Sequence, residues 1–213
     1  MALINADKKY CYRITHIENL DCILDSGLVT KHHTRANSRY IHIGNPEVIG
    51  VRSDMPVRII GYGVIGDYVP FYFTPRSIML YNIITGYRHP VVPKRKPEEI
   101  LVIRCEIKEL TRLPYFFFTD GQGNDMVTRH FNDLAYLEEI DWRSIQQSDF
   151  QKTDGDFDRS RRYQAEFLVR NEVPVSSVES LNVYNEQAAR YVKQVLTGKN
   201  INLAINIQPQ YFF

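Results

Sequence analysis

The chain has 213 residues, a formal net charge of +1 and 44% hydrophobic residues. This length suits one domain with a substantial core, and the near-zero charge excludes a global field that attracts nucleic acid or membrane. Any site for a polyanion must therefore be a local patch. The first ten residues lack the pattern of a signal peptide, and no apolar stretch approaches the roughly 20 residues that span a bilayer. We therefore expect a cytoplasmic protein with no membrane partner.

Three cysteines are widely separated in the sequence, at Cys11, Cys22 and Cys105. Their spacing matches neither a disulfide framework nor a zinc knuckle. Reduced, buried thiols are the expectation, as is usual inside the cell.

The first third of the chain predicts a strand that runs directly into a helix. Thr15 and Glu18 have the spacing of a capping box, in which the Thr15 hydroxyl accepts from the Glu18 backbone N–H, and Gly27 can end the helix. The elements expected up to residue 65 are a strand at Tyr10–Ile14, a basic loop at Lys31–Arg39, a short strand at Tyr40–Ile43, an irregular stretch at Gly44–Pro56 and either strand or loop at Ile59–Ile65.

The segment Asp67–Tyr81, DYVPFYFTPRSIMLY, is the most distinctive part of the sequence. Each of its two prolines removes a donor from a strand ladder, so the strand at Val69–Phe73 should lie at a sheet edge or beside a ligand. Its aromatic rings are suited to a flat group. The apolar pattern then becomes helical over Arg76–Ile84. It has an arginine where the helix dipole favours an acid, which suggests either an anion nearby or a surface ion pair.

The remaining elements alternate without the regular rhythm of a parallel βαβ sheet, which favours an α+β fold. Val127, Phe131, Leu134 and Leu137 step by four, three and three residues and predict an amphipathic helix. The other expected elements are a basic loop at His89–Pro97, strands at Ile100–Ile107 and Tyr115–Phe118, a polar, mobile segment at Gln146–Tyr163, strands at Glu166–Val169 and Leu181–Tyr184, a helix over 188–196 ended by Gly198 and a strand at Ile201–Ile207.

Glu166 stands where a long polar segment meets the apolar run Phe-Leu-Val. A carboxylate at that junction suits the mouth of a cleft, although a solvated glutamate at a strand edge fits the same pattern. The motifs of a P-loop, a Rossmann fold, a zinc site and a nucleophile elbow are all absent from the sequence.

Four blocks of sequence, in order, resemble the DarT family of bacterial DNA ADP-ribosyltransferase toxins. They are YRITHIENL from Tyr12, then His42-Ile43 with Arg52 downstream, then DYVPFYFTPRSIMLY and finally QAEFLV around Glu166. The resemblance spans nearly the whole chain and implies a single ADP-ribosyltransferase domain over residues 1–213. That fold has a split, mixed β core with flanking helices around an NAD cleft.

The resemblance also implies a function. The expected reaction consumes NAD, needs no metal and places ADP-ribose on a thymine of single-stranded DNA within a short sequence motif. The expected partner is a macrodomain antitoxin that removes the modification, so the protein would be the toxin of a toxin–antitoxin pair.

The predicted site residues fall into three groups, taken from the resemblance and from the basic and aromatic pattern together. Family members often carry histidine at the position of Arg13, and at least one relative carries histidine at the position of Gln122. The catalytic pair is Glu166 and Arg52, the NAD-binding residues are Arg13, Ile14, Thr15, Tyr72, Arg76, Ser77 and Tyr81, and the DNA-binding candidates are Lys31, Arg35, Arg39, Gln122, Arg159, Arg161 and Arg162.

Three other functions fit the same residues. One is an enzyme of this fold that modifies guanine, RNA or protein. Another is a single-strand binder without catalysis, and the third is an NAD hydrolase.

Overall fold

The computed structural model describes residues 9–213. The prediction that the N-terminus is no signal peptide rests largely on residues 1–8, which lie outside the described residues. The strands are β1 Tyr10–His16, β2 Leu28–Val29, β3 Tyr68–Tyr72, β4 Ile100–Glu106, β5 Phe116–Thr119, β6 His130–Phe131, β7 Glu166–Arg170, β8 Glu172–Val173, β9 Val178–Val183 and β10 Ala204–Ile207. The α-helices are α1 Leu20–Ser26, α2 Pro46–Ser53, α3 Ile78–Thr85, α4 Ile107–Leu110, α5 Trp142–Gln147, α6 Arg159–Tyr163 and α7 Glu186–Gly198.

Within residues 9–213, eight strands form one sheet in the order β10-β9-β4-β1-β3-β7-β5-β6. The β10–β9 pair is parallel and the other neighbours are antiparallel. β2 and β8 pair separately. The mixed sheet with flanking helices confirms the predicted α+β class.

The sheet is split between β1 and β3. Among the described residues these two strands pair only at Tyr12 and Tyr72, whereas β1 pairs with β4 along its whole length and β3 pairs with β7 along its own. Pro70 contributes to this break because it has no N–H to donate to a ladder. β3 is therefore an interior strand, so of the two positions expected for it, a sheet edge or a place beside a ligand, the structure excludes the edge. Apart from Tyr72, its backbone nevertheless has no ladder partner on the side that faces β1 among the described residues.

The two halves of the split sheet carry separate apolar clusters on one face. On the β1 half, Ile14 packs with Leu80 and Ile83 of α3. On the β3 half, Leu168 packs with Phe117 and Val57. The opposite face carries one continuous core, in which α1 and α7 cover the sheet. Side-chain alternation along β7 explains this division, since successive residues point to opposite faces.

Three local predictions near the N-terminus were wrong. His16, not Thr15, caps the first turn, because its Nδ1 accepts from the Glu18 N–H at 3.3 Å. No strand forms at Tyr40–Ile43. The stretch Gly44–Pro56, expected to be irregular, contains α2, which the Asn45 side chain caps and Pro46 begins. Asparagine followed by proline is a strong helix start that the sequence did offer.

The helix predicted from Val127 to Leu137 is absent. His130 and Phe131 instead pair with β5, and Phe131 stacks on Phe118 with ring centroids 5.5 Å apart. Asp133 then caps a separate 3-10 turn over Leu134–Glu139. Strand pairing and this new cap outweigh the helical spacing. The segment Gln146–Tyr163, expected to be a mobile polar stretch, contains α6 and the end of α5.

Candidate active site

A cavity of about 480 Å³ lies at the split in the sheet, between the two apolar clusters. Among the predicted residues it collects Glu166, Arg52, Arg13, Ile14, Tyr72 and Gln122, which come from distant parts of the chain. The remaining lining residues are Tyr40, His42, Ile43, Gly44, Asn45, Val48, Ile49, Pro70, Ile78, Met79, Asn82, Arg88, Val92, Ser160 and Gln164.

Glu166 and Arg52 form a buried ion pair in this cavity. The two Nη atoms of Arg52 donate to the two carboxylate oxygens of Glu166, both at 2.6 Å. The Glu166 side chain is 2% exposed, so it is not a solvated glutamate at a strand edge. Its backbone N–H donates to the Thr119 hydroxyl at 3.1 Å. A forked, two-bond contact of this kind fixes the direction of the carboxylate as well as its charge.

Electrostatics keeps the guanidinium of Arg52 charged. Burial acts to lower the pKa of Arg52, but the Glu166 charge and its hydrogen bonds outweigh this and leave the pKa raised. Tyr72 lies directly across the ladder from Glu166. Burial, followed by the negative charge of Glu166, raises the pKa of Tyr72 well above its usual value, so its phenol stays neutral. The cavity therefore holds a neutral ring beside a fixed carboxylate.

Arg13 bridges the split. Its Nη1 donates to the Pro70 carbonyl at 3.0 Å, across the gap in which the ladder is missing. Its Nε is buried and has no hydrogen-bond partner among residues 9–213. Ile14 lines the cavity next to it, whereas Thr15 does not: the Thr15 hydroxyl is 2.9 Å from the Tyr40 hydroxyl and accepts from Asn19.

Besides Thr15, three more of the residues predicted to bind NAD lie outside the cavity lining. Arg76 donates to the carbonyls of Gln210 and Phe212 near the C-terminus. Ser77 caps α3 by accepting from the Leu80 N–H. Tyr81 packs its ring against other aromatic rings, those of Tyr87, Phe150 and Phe213. In this structure their contacts hold α3 and the C-terminus in place. The anion expected near Arg76 is replaced by backbone carbonyls.

The basic residues predicted to bind DNA differ in how free their charges are. Lys31 and Arg39 are exposed, and Arg35 pairs with Glu172. The α6 arginines are held by aspartates: Arg161 donates to Asp158 at 2.7 Å, and Arg162 donates to Asp156 at 2.8 Å. Arg159 is held in the same way by Asp149 and Asp156. Most of their donors therefore bind aspartates and stabilise the segment that precedes β7.

Several cavity residues were missed by sequence reasoning. Val48 and Ile49 lie on α2, whose existence was not predicted. Met79 and Asn82 lie on the predicted helix α3, but nothing in the sequence shows which face of that helix meets the cavity. Arg88 lies in the loop after α3. His42 also lines the cavity, and its pKa is lowered by burial and then by the charges of Lys31 and Arg13.

The arrangement has an obvious chemical use. A fixed carboxylate stabilises positive charge that develops on a sugar when a glycosidic bond breaks, and the apolar walls strengthen that interaction by excluding water. The split mixed sheet with flanking helices has the ADP-ribosyltransferase class of fold.

Comparisons with known proteins place the chain more closely. The family model described as ssDNA thymidine ADP-ribosyltransferase, DarT, matches residues 12–213. The chain belongs to the DarT family, and it is an NAD-dependent DNA ADP-ribosyltransferase that consumes NAD as a substrate.

Individual relatives agree with this assignment. A DNA ADP-ribosyl transferase of Escherichia coli O127:H6 (strain E2348/69 / EPEC) is 34% identical over 214 residues, covering 100% of this chain and 97% of the relative. The structure of Thermus sp. 2.9 DarT in complex with ADP-ribosylated ssDNA has a TM-score of 0.86 at 30% identity, covering 96% of both chains. The same Thermus protein in complex with NAD+ has a TM-score of 0.80 at 30% identity, covering 97% of this chain and 98% of that one.

Membrane-spanning helices and clusters of metal ligands are both absent from residues 9–213. None of its helices has the length and apolar character needed to cross a bilayer. Over residues 9–213, no three His, Cys, Asp or Glu side chains are grouped as metal ligands.

Proposed function

We propose that this enzyme transfers ADP-ribose from NAD onto thymine in single-stranded DNA, in a sequence-dependent way, as the toxin of a toxin–antitoxin pair. The observation that carries the proposal is the buried Glu166–Arg52 pair at the split in the sheet. The family description names thymidine, and a relative has been solved with ADP-ribosylated single-stranded DNA. A cytoplasmic location and a macrodomain antitoxin that removes the modification complete the proposal.

The proposed reaction breaks one bond and forms another at the same carbon. The bond between C1′ of the nicotinamide ribose and the pyridinium nitrogen breaks, and its electron pair stays with nicotinamide. Thymine N3 loses a proton and bonds to C1′, so the products are nicotinamide, a proton and ADP-ribosylated DNA. Glu166 holds a ribose hydroxyl and stabilises the positive charge on the sugar.

Arg52 acts at the reacting end of NAD in this proposal. The guanidinium spends two donors on Glu166 and keeps its remaining N–H groups for the thymine oxygens, where negative charge develops when N3 is deprotonated. Tyr72, beside Glu166 in the ladder, places its ring against nicotinamide. Arg13 and Arg88 bring positive charge to the lining that suits the pyrophosphate.

A single strand is the proposed form of the DNA because the reacting nitrogen is buried in a duplex. Extruding a base costs least where it is already unpaired. Gln122 and Gln164 line the cavity near Glu166 and offer amide groups that can read a base edge.

Mass spectrometry of defined oligonucleotides tests the substrate. The purified enzyme is incubated with NAD and four single strands. The strands share one sequence except at a single position, which holds thymine, guanine, adenine or cytosine. The proposal predicts a mass gain of one ADP-ribose on thymine strands alone, with release of nicotinamide. Modification of guanine strands without modification of thymine strands would refute the choice of base, and nicotinamide release unaffected by DNA would indicate an NAD hydrolase.

A further inference from the structure

We propose that Tyr62, Tyr115 and Arg170 form a second subsite, which stacks and neutralises nucleotides flanking the reacting thymine in the same DNA strand. This inference rests on the proposed function. The three residues are called the stacking patch below.

The rings of the stacking patch are arranged as two walls. The Tyr115 ring is 54% exposed, and its centroid is 5.7 Å from that of Tyr62 at an interplanar angle of 81°. Tyr62 is anchored from behind, since its hydroxyl accepts from Asn132 and its ring meets the edge of Phe117. Aromatic faces held in this way stack single-stranded bases without reading their sequence.

The backbone at Tyr115 is strained. Its φ is 58°, in the left-handed region that bulky side chains rarely adopt. The conformation is kept by a hydrogen bond from the Arg170 N–H to the Tyr115 carbonyl at 3.0 Å. Asparagine or glycine would suit this backbone better and leave less apolar surface in water. Strain that persists at an exposed ring points to a use for the ring.

Unpaired positive charge accompanies these rings. The Arg170 guanidinium lies 5.1 Å from the Tyr115 ring centroid and makes no hydrogen bond or ion pair to any residue in 9–213. Asp67 lies on a neighbouring turn but forms no ion pair with it in the described structure. Arg58 is exposed and donates to the backbone carbonyls of Thr128 and Asp125, with no carboxylate partner in this part of the chain. The Arg170 guanidinium beside the Tyr115 ring is therefore available to a phosphate of the DNA backbone.

The stacking patch lies on the same face of the sheet as the catalytic glutamate. Glu166, Leu168 and Arg170 are every second residue of β7, so their side chains lie on the same face of the sheet. Arg170 is four positions after Glu166, which along a strand is a distance of about 13 Å. The apolar cluster around Leu168 fills the sheet between them. One strand of a few nucleotides can therefore place a base at Glu166 and its neighbours on the rings.

Comparing a short and a long strand separates the subsite from the catalytic centre. The kcat/KM for ADP-ribose transfer is measured on a thymine-containing trinucleotide and on a strand of about ten nucleotides with the same central sequence. In Tyr115→Asn the ring is lost but the residue type tolerates the left-handed backbone. We expect kcat/KM on the long strand to fall about tenfold, with the trinucleotide rate unchanged. Tyr115→Phe should behave as wild type.

Two further variants guard this test. Arg170→Gln removes the charge and leaves both tyrosines in the chain, and it should weaken the salt dependence of the long-strand reaction. Tyr191→Ala, an exposed ring on α7 on the opposite face, is the matched control and should change nothing. Equal long-strand rates for wild type and Tyr115→Asn would overturn the stacking patch, as would a loss shared equally by the trinucleotide. Failure of the wild-type enzyme to label either strand would instead refute the proposed function.

Discussion

At the scale of single residues, the carboxylate of Glu166 has almost no freedom. Arg52 holds both of its oxygens at 2.6 Å, and Gly123 closes the remaining side. A Cβ added at Gly123 would lie 3.3 Å from Glu166 Oε2, closer than most contacts of that kind. The glutamate can move away only by lengthening its bonds to Arg52, so glycine at this position protects the alignment of the pair.

Gly123→Ala should therefore reduce catalysis while leaving the fold intact. We expect kcat to fall about tenfold, because small misplacements of a catalytic group carry large costs. The measurement is the steady-state rate of ADP-ribose transfer at saturating NAD. Gly155→Ala is the matched control, since a Cβ there meets no atom within 4 Å. Equal rates for the two variants would show that the packing against Glu166 does not matter.

At the scale of elements, the loops on either side of the Glu166–Arg52 pair are joined to each other. His130 connects them: its Nδ1 accepts from the Arg58 N–H at 3.0 Å, and its ring stacks on Phe117. Burial, followed by the charge of Arg58, lowers the pKa of His130 to about 4. Protonation of Nδ1 would remove the acceptor, so the folded protein holds this imidazole neutral.

The resulting pH dependence has a definite sign. The unfolded histidine has a pKa of about 6.5, so between about 6.5 and 4 the unfolded state binds more protons than the folded state. The free energy of unfolding should therefore decrease as the pH falls through that window. His130→Asn keeps an acceptor for the Arg58 N–H and does not titrate, so its stability should change less with pH. Urea unfolding at pH 7 and pH 4.5 checks this. Parallel pH profiles for both proteins would contradict the role of His130.

The elements also show what the sequence could and could not predict. Long apolar runs such as β4 and β7 were predicted within a residue or two, because burial on both faces leaves a continuous pattern. α2 was missed although Asn45-Pro46 announces its start, since the apolar residues that follow are few. The helix predicted after Val127 failed because Phe131 is drawn into the sheet by its contact with Phe118.

At the scale of the whole molecule, the site depends on long-range geometry that local patterns do not contain. Arg52 and Glu166 are 114 residues apart in sequence. Arg52 could be placed from sequence only through the resemblance, because a lone arginine after an unpredicted helix carries no signal. At the split, β1 and β3 pair only at Tyr12 and Tyr72 among the described residues, and the one sequence feature that marks the break is Pro70 in β3. We propose that the described elements act as one domain, since both halves of the sheet build the cavity.

Charge is distributed on the same scale. The net charge of +1 is unevenly distributed. Arg159, Arg161 and Arg162 pair with aspartates, whereas Arg58 and Arg170 have no carboxylate partner among residues 9–213. A transient DNA substrate needs only this local excess, because turnover requires release of the modified strand.

The central claim, that Glu166 drives transfer from NAD, is tested most directly by Glu166→Gln. The amide keeps the shape of the side chain and one acceptor for Arg52, but it loses the negative charge. Transfer to a thymine strand is measured by mass at saturating NAD, with NAD binding measured by calorimetry and folding checked by circular dichroism. The account predicts that NAD still binds and that the transfer rate falls about a hundredfold or more. A folded Glu166→Gln protein that modifies thymine within a few-fold of the wild-type rate would contradict it.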